Sequence, residues 1–215
     1  MQNQIISLAL ALLLFNGCVL NKFAGASRYR PEELEKNLSK ESRDLIDATL
    51  INIKKNNIFD YHAHVAGLGT DGSGIYINPR LKSWAHPQRR LRIKAYLSAA
   101  GIEENNHTDL NYIKRLIDLI KYNPTAPKLL LLPFDYYHDN NGIINLEKTE
   151  FSVPNEYVYN IAAQHPHYFE AAMSVHPYRK DALIELEKWA AYRQHKQLFL
   201  KMTVYQAPEF KAKTA

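Results

Sequence analysis

Asn57-Ile58-Phe59-Asp60-Tyr61-His62-Ala63-His64-Val65 is the stretch from which the fold of this chain is read. It has the pattern of a short strand, apolar at Ile58 and Phe59, that ends in His-x-His. Side chains alternate along a strand, so His62 and His64 are expected on one face, with Asp60 deeper on the same face and Tyr61 and Ala63 on the other. Two imidazoles about 7 Å apart along a strand can converge on one metal ion. Gly67, Gly69, Gly72 and Gly74 follow, so the strand runs out into a conformationally free loop. His-x-His alone is a weak signal, and its surroundings decide what it means.

Downstream, Lys128-Leu129-Leu130-Leu131-Leu132-Pro133-Phe134-Asp135 is an unbroken apolar run, the pattern of a parallel strand covered on both faces. Tyr168 to Pro177 reads as a third strand and Gln197 to Val204 as a fourth. Helices are expected between them. The basic segment from Pro87 to Ala100 stops at Gly101. A helix from Asp109 to Tyr122, capped by Thr108, has an apolar face of Leu110, Ile113, Leu116, Ile117 and Ile120. Pro154 to Gln164 and Lys180 to Gln194 complete the set, the last with Leu183, Leu186 and Ala190 on one face. Asn145–Phe151 is expected as loop. Upstream, Pro31 opens a helical pattern with Glu32 and Glu33 in its first turn, and Ser39 opens another. The order βαβαβαβ implies a parallel sheet with right-handed crossovers. A doubly wound sheet and a (β/α)8 barrel both satisfy it, and four strands do not close a barrel.

With 215 residues, 46% hydrophobic and 23% charged, the chain is long enough for one globular domain with a substantial core. The net charge of +5 is dispersed apart from Arg89-Arg90-Leu91-Arg92-Ile93-Lys94. That run is read as the solvated face of a helix, and no nucleic-acid motif accompanies it. Ile5 to Phe15 is apolar but about half the length a membrane span needs, which suits the core of a signal peptide. Leu14-Phe15-Asn16-Gly17-Cys18 resembles a bacterial lipobox. Residues 1–17 are therefore expected to be a lipoprotein-like signal, with Cys18 lipidated and the protein anchored at the extracytoplasmic face of a cell envelope. Met1-Gln2-Asn3-Gln4 departs from that pattern in having no Lys or Arg. An uncleaved apolar helix or a misassigned start is the alternative. Cys18 is the only cysteine, so no internal disulfide forms and no Cys-ligated metal site exists.

Asp60-Tyr61-His62-Ala63-His64-Val65-Ala66-Gly67-Leu68-Gly69-Thr70 resembles the opening of the amidohydrolase superfamily, in its amidohydrolase 2 branch of TIM-barrel metal-dependent hydrolases. The likeness continues through Tyr76–Arg80, Tyr96–Gly101, Val153–Val158, Ser174–Ala182 and Leu186–Ala191, across residues 39 to 201. It implies a (β/α)8 barrel of the TIM type, with a mono- or binuclear divalent metal site at the carboxyl ends of its strands. The first two ligands correspond to His62 and His64. Lys201 falls where a carbamylated bridging lysine can sit, with solvent or substrate contact as the plainer alternative. His176, at the end of the third strand, is a candidate substrate-binding residue, or else the stabiliser of a turn before Pro177. Asp60 is read as a hydrogen-bond partner rather than a ligand. His138 and Asp139 are placed at the mouth, Tyr136 and Tyr137 in its wall, and His165 and His167 at a helix end. Zinc is the default ion, with manganese or iron open.

The activity implied is hydrolysis of an ester, lactone or amide by a metal-activated water, with decarboxylation as the branch's other chemistry. This sequence departs from the family after Lys201. Met202-Thr203-Val204 and the tail 205–215 match nothing expected, and the later His, His and Asp that would complete the site are not in it, so no residue is assigned as a catalytic acid or base. The expectation is a partial barrel over residues 39–204, truncated after about four strands by a frameshift or premature stop, behind a tether and first helix over 18–38. A non-catalytic remnant or binding protein is the alternative function. Besides a small-molecule substrate and the membrane anchor, self-association through open sheet edges is expected.

Overall fold

A computed structural model describes residues 29–192 and 198–201, with side chains described through Ala191. The signal segment, Cys18, most of the tether and the tail 205–215 lie outside the described residues.

The chain is a mixed α/β fold built on a parallel sheet. The sheet strands are β1 (Phe59–His64), β3 (Lys128–Leu132), β5 (Phe169–Ser174) and β6 (Leu198–Lys201), lying side by side in that order. Every neighbouring pair is parallel. A second, two-stranded sheet pairs β2 (Tyr76–Ile77) with β4 (Phe151–Ser152), antiparallel. Neither short strand is legible in the sequence, where Phe151 falls in the expected loop, because two residues are too few for a period to register. The helices are α1 (Lys40–Leu50), α2 (Pro87–Ala100), α3 (Thr108–Tyr122), α4 (Asn155–Gln164) and α5 (Ala182–Tyr192).

Local chemistry accounts for most boundaries. Ser39 caps α1, its Oγ accepting from the Ser42 N–H at 3.2 Å. The segment after Pro31 forms two successive 3₁₀ turns, Pro31–Glu33 and Glu35–Asn37, instead of an α-helix. Gly101 ends α2 at φ 67°, a left-handed conformation that glycine adopts without penalty. Thr108 opens α3, and its hydroxyl accepts from the Asn105 N–H.

One face of the sheet carries Leu129, Leu131, Phe169, Ala171 and Met173. They pack with Ile113 and Ile120 of α3, Val158, Ile161 and Ala162 of α4, and Trp189 of α5. Phe59, Leu130, Leu132 and Ala172, from the alternate rows, form a separate small cluster. Two expected helix faces shift. Leu110 of α3 is exposed, while Ile113, Leu116, Ile117 and Ile120 pack as expected. On α5 the buried side is Trp189, stapled by its indole N–H to Glu185, whereas Leu183 is 74% exposed and Ala190 is also exposed. A single large aromatic outweighs a row of smaller apolar residues in choosing the face.

The basic run of α2, expected as a solvated helix face, is partly exposed, with Arg89 and Arg90 half-buried. Arg89 and Arg92 both reach Glu150, and the Arg90 guanidinium lies over the Trp84 ring. No described helix is long and apolar enough to cross a membrane.

Candidate functional site at the carboxyl ends of the strands

His62 and His64 do converge. Their Nε2 atoms stand 3.0 Å apart at the carboxyl end of β1, one donating to the other as the tautomers allow. Bonds of 2.0–2.1 Å to a tetrahedral ion would set two nitrogens about 3.3 Å apart, so the pair needs only a few tenths of an ångström of adjustment. His64 is held from two sides. Its ring stacks on Phe134 at 4.6 Å between centroids, and its carbonyl accepts the buried Tyr112 hydroxyl of α3 at 2.7 Å. Burial pushes the Tyr112 phenol upward, so it stays a protonated donor. His62 is exposed.

Asp60 does not share that face. The register between β1 and β3 slips from Asp60 opposite Leu129 to Ala63 opposite Leu131, so one extra residue of β1 is inserted. A bulge of this kind inverts the alternation. Asp60 therefore falls in the row of Leu129 and Leu131, while His64 falls opposite Leu132. Tyr61 lies against Phe59 at 4.5 Å, on the side of the Leu130 cluster and not of Ala63. Asp60 instead accepts the His62 N–H at 2.9 Å, a local turn that fixes the bulge.

The loop after β1 is organised by Asp109, which sequence reasoning assigned only to a helix start. Fully buried, it accepts from the N–H groups of Leu68, Gly69 and Thr70 and from the Ser73 hydroxyl, at 2.6 to 3.1 Å. A Cβ at Gly67 would meet its carboxyl at 2.5 Å, which is why glycine stands there. Nearby, Asp71 pairs with His107 at 2.7 Å. Burial works to raise the Asp71 carboxyl, but hydrogen bonds from His107, Thr70 and the Leu110 N–H outweigh it and hold it below the ordinary range.

Beyond β3 and β5 lies a second polar cluster. Asp135 accepts from the His176 N–H at 2.9 Å and from Arg179 Nη1 at 3.0 Å, and its own N–H reaches Ser174 Oγ. Asn155 clamps Ser174 through both backbone groups. Arg179 also grips Asp181, and this pairing raises its already high pKa. Phe134, Asp135, Tyr136, His138, Asn155 and Arg179 are among the residues around a cavity of about 270 Å³. Of the residues expected at the mouth and in its wall, His138 and Tyr136 line this cavity, while Asp139 and Tyr137 are not among its lining residues. His176 has no exposed surface, covered by Tyr137 and His138. Lys201 ends β6 opposite Ser174 by backbone register, and its side chain lies outside the described residues. His167 is exposed and His165 ends α4, both as expected.

Phe134 links the two groups, stacking on His64 and lining the cavity. No set of three or more His, Cys, Asp or Glu side chains gathers to hold a metal among the described residues. No family model matches the chain, and comparison with curated proteins and with solved structures finds no match either.

Proposed function

We propose that this chain carries the first part of a metal-dependent hydrolase site of the amidohydrolase type, with His62 and His64 as its two ligands. The 3.0 Å approach of their Nε2 atoms at the carboxyl end of β1 carries this reading. Sheet order supports the barrel type. A doubly wound sheet reverses direction at a switch point, whereas these strands advance in sequence order β1-β3-β5-β6. The core helices α3, α4 and α5 all pack on one face, as around a barrel wall.

A divalent ion, zinc by donor chemistry, supplies Lewis acidity that activates water and polarises a carbonyl at such a site. The chain's own residues hold and aim the donors. Phe134 and Tyr112 fix the ring and carbonyl of His64, and Asp60 fixes the backbone of His62. Substrates would be esters, lactones or amides, and a lipid anchor at Cys18 would place the protein at the envelope.

The two histidines have no third described donor beside them. That favours, as a second reading, a protein that binds metal without turnover. Calorimetric titration of the metal-free protein with Zn²⁺, beside hydrolysis assays on aryl esters and lactones, separates the two. Binding that disappears in His62→Ala and His64→Ala supports the metal site. Turnover lost in the same variants supports the hydrolase, and binding without turnover supports the second reading. Unchanged Zn²⁺ binding in both variants rules out the proposed ligands.

A further inference from the structure

We propose that the segment from Tyr136 to Asn145 is a lid over the cavity at the ends of β3 and β5, and that it opens on acidification through protonation of the His176 imidazole beneath it. The segment doubles back on itself. His138 bridges Ile144, the Asp139 N–H reaches the Ile143 carbonyl at 2.9 Å, and the Asn145 N–H reaches the Tyr137 carbonyl at 2.9 Å. Its tip turns at Gly142, at φ 75°, against the Tyr178 carbonyl, where an added Cβ would stand 2.5 Å away. Tyr136, His138 and Ile144 from this segment line the cavity, so its position sets the cavity's width.

The lid meets the floor, beside the contacts of Tyr137 and Gly142, through a pair of imidazoles. His138 and His176 lie tilted against each other, with centroids 5.0 Å apart and 38° between planes. Hydrogen bonds fix both neutral tautomers. His138 Nδ1 lies 2.9 Å from the Tyr136 carbonyl, which can only accept, so that nitrogen carries the hydrogen. His176 Nδ1 accepts the Tyr178 N–H at 3.2 Å, so its hydrogen is on Nε2. That Nε2 is buried and has no hydrogen-bond partner among the described residues. Protonating His176 therefore adds charge to a ring with no exposed surface, and puts a hydrogen on Nδ1 against the Tyr178 N–H that now donates to it.

The surroundings do not offset this. Asp135 favours the cation but is already bonded by Arg179, Tyr136 and the His176 N–H. Arg179 opposes it, as does His138 from the lid, and among the described residues Tyr137 and Tyr178 are its other ring neighbours. Asp139 lies close enough to feel His138 and Lys180, and Asp181 close enough to feel His138 and Arg179. Burial first, then His138 and Arg179, hold the His176 pKa below its ordinary 6.5, with Asp135 pulling the other way. A group depressed in the closed state stabilises that state at pH above its free value. This stabilisation is lost as pH falls through about 6.5 and toward the closed-state value. Lifting the lid hydrates the ring and restores its ordinary proton affinity.

Hydrogen–deuterium exchange on the intact protein, corrected for the intrinsic pH dependence of exchange, tests this between pH 8 and pH 5. Protection across residues 137–145 should fall with pH while protection of β5 and α3 holds. His176→Phe, which fills the space without a proton site, should leave the lid protected throughout. Gly142→Ala should expose it at every pH. Protection of the lid that is independent of pH in the unaltered protein, or lost together with β5, overturns the proposal. So does a pH response that survives in folded His176→Phe.

Discussion

At the scale of single residues, Asp109 shows how a buried carboxyl group is satisfied by hydrogen-bond donors alone among the described residues. Its two oxygens take three backbone N–H groups and one hydroxyl, and it stands in the first turn of α3, where the helix dipole favours an anion. Asp109→Ala should lower stability by about 3–5 kcal/mol, because it leaves several buried donors unsatisfied at once. Urea unfolding followed by circular dichroism measures this, and a loss below about 1 kcal/mol would refute the latch. Tyr112→Phe is the milder counterpart. It removes one hydrogen bond, to the His64 carbonyl, and should cost about 1–2 kcal/mol. It should also weaken Zn²⁺ binding by releasing the end of β1, a loss that titration calorimetry reads directly. Asp109 was not legible as a latch in the sequence, since an acidic residue in a first helical turn is already accounted for by the helix dipole. What it holds lies 36 to 41 residues upstream, and no local pattern reports that distance.

Elements were more legible than their faces. The β3 strand was marked by its apolar run, and α2 by Pro87 and Gly101, because both signals are local. Among the features that escaped, three are instructive. The two-residue strands β2 and β4 are too short for periodicity. The bulge in β1 displaced Asp60 from the histidine row, since one extra residue inverts alternation and nothing in Phe59–His64 announces it. The buried side of α5 was read from Leu183, Leu186 and Ala190 but is set by Trp189. These two readings of α5 differ in their consequences. Trp189→Ala should cost about 3–5 kcal/mol, the range for emptying an aromatic site. Leu183→Ala should change stability by no more than about 0.5 kcal/mol. Denaturant midpoints for the two variants at equal slope decide it, and a reversal of their order would move the core contact to the other face of the helix.

For the whole molecule, the consequential fact is that the sheet advances in one direction and begins at β1. Among the described residues β1 pairs only with β3, and Asp60, Tyr61 and His62 along it are exposed, Tyr61 by 63%. A parallel edge with a solvent-facing aromatic is a template for another strand. The two imidazoles lie at its carboxyl end, so whatever pairs with this edge arrives beside them. Self-association through the β1 edge follows as the expected behaviour, visible in sedimentation velocity as a mean coefficient that rises with protein concentration. Tyr61→Lys places a charge on the edge, the device by which natural sheets block such pairing, and should return the protein toward a single slow species. It should leave Zn²⁺ binding intact, because Tyr61 leans on Phe59 and takes no part in the His62–His64 contact. Association unchanged by Tyr61→Lys would assign the contact to another surface. The exposed Leu183 and Ile184 of α5 are the alternative, and a charged substitution at Leu183 would then suppress it instead.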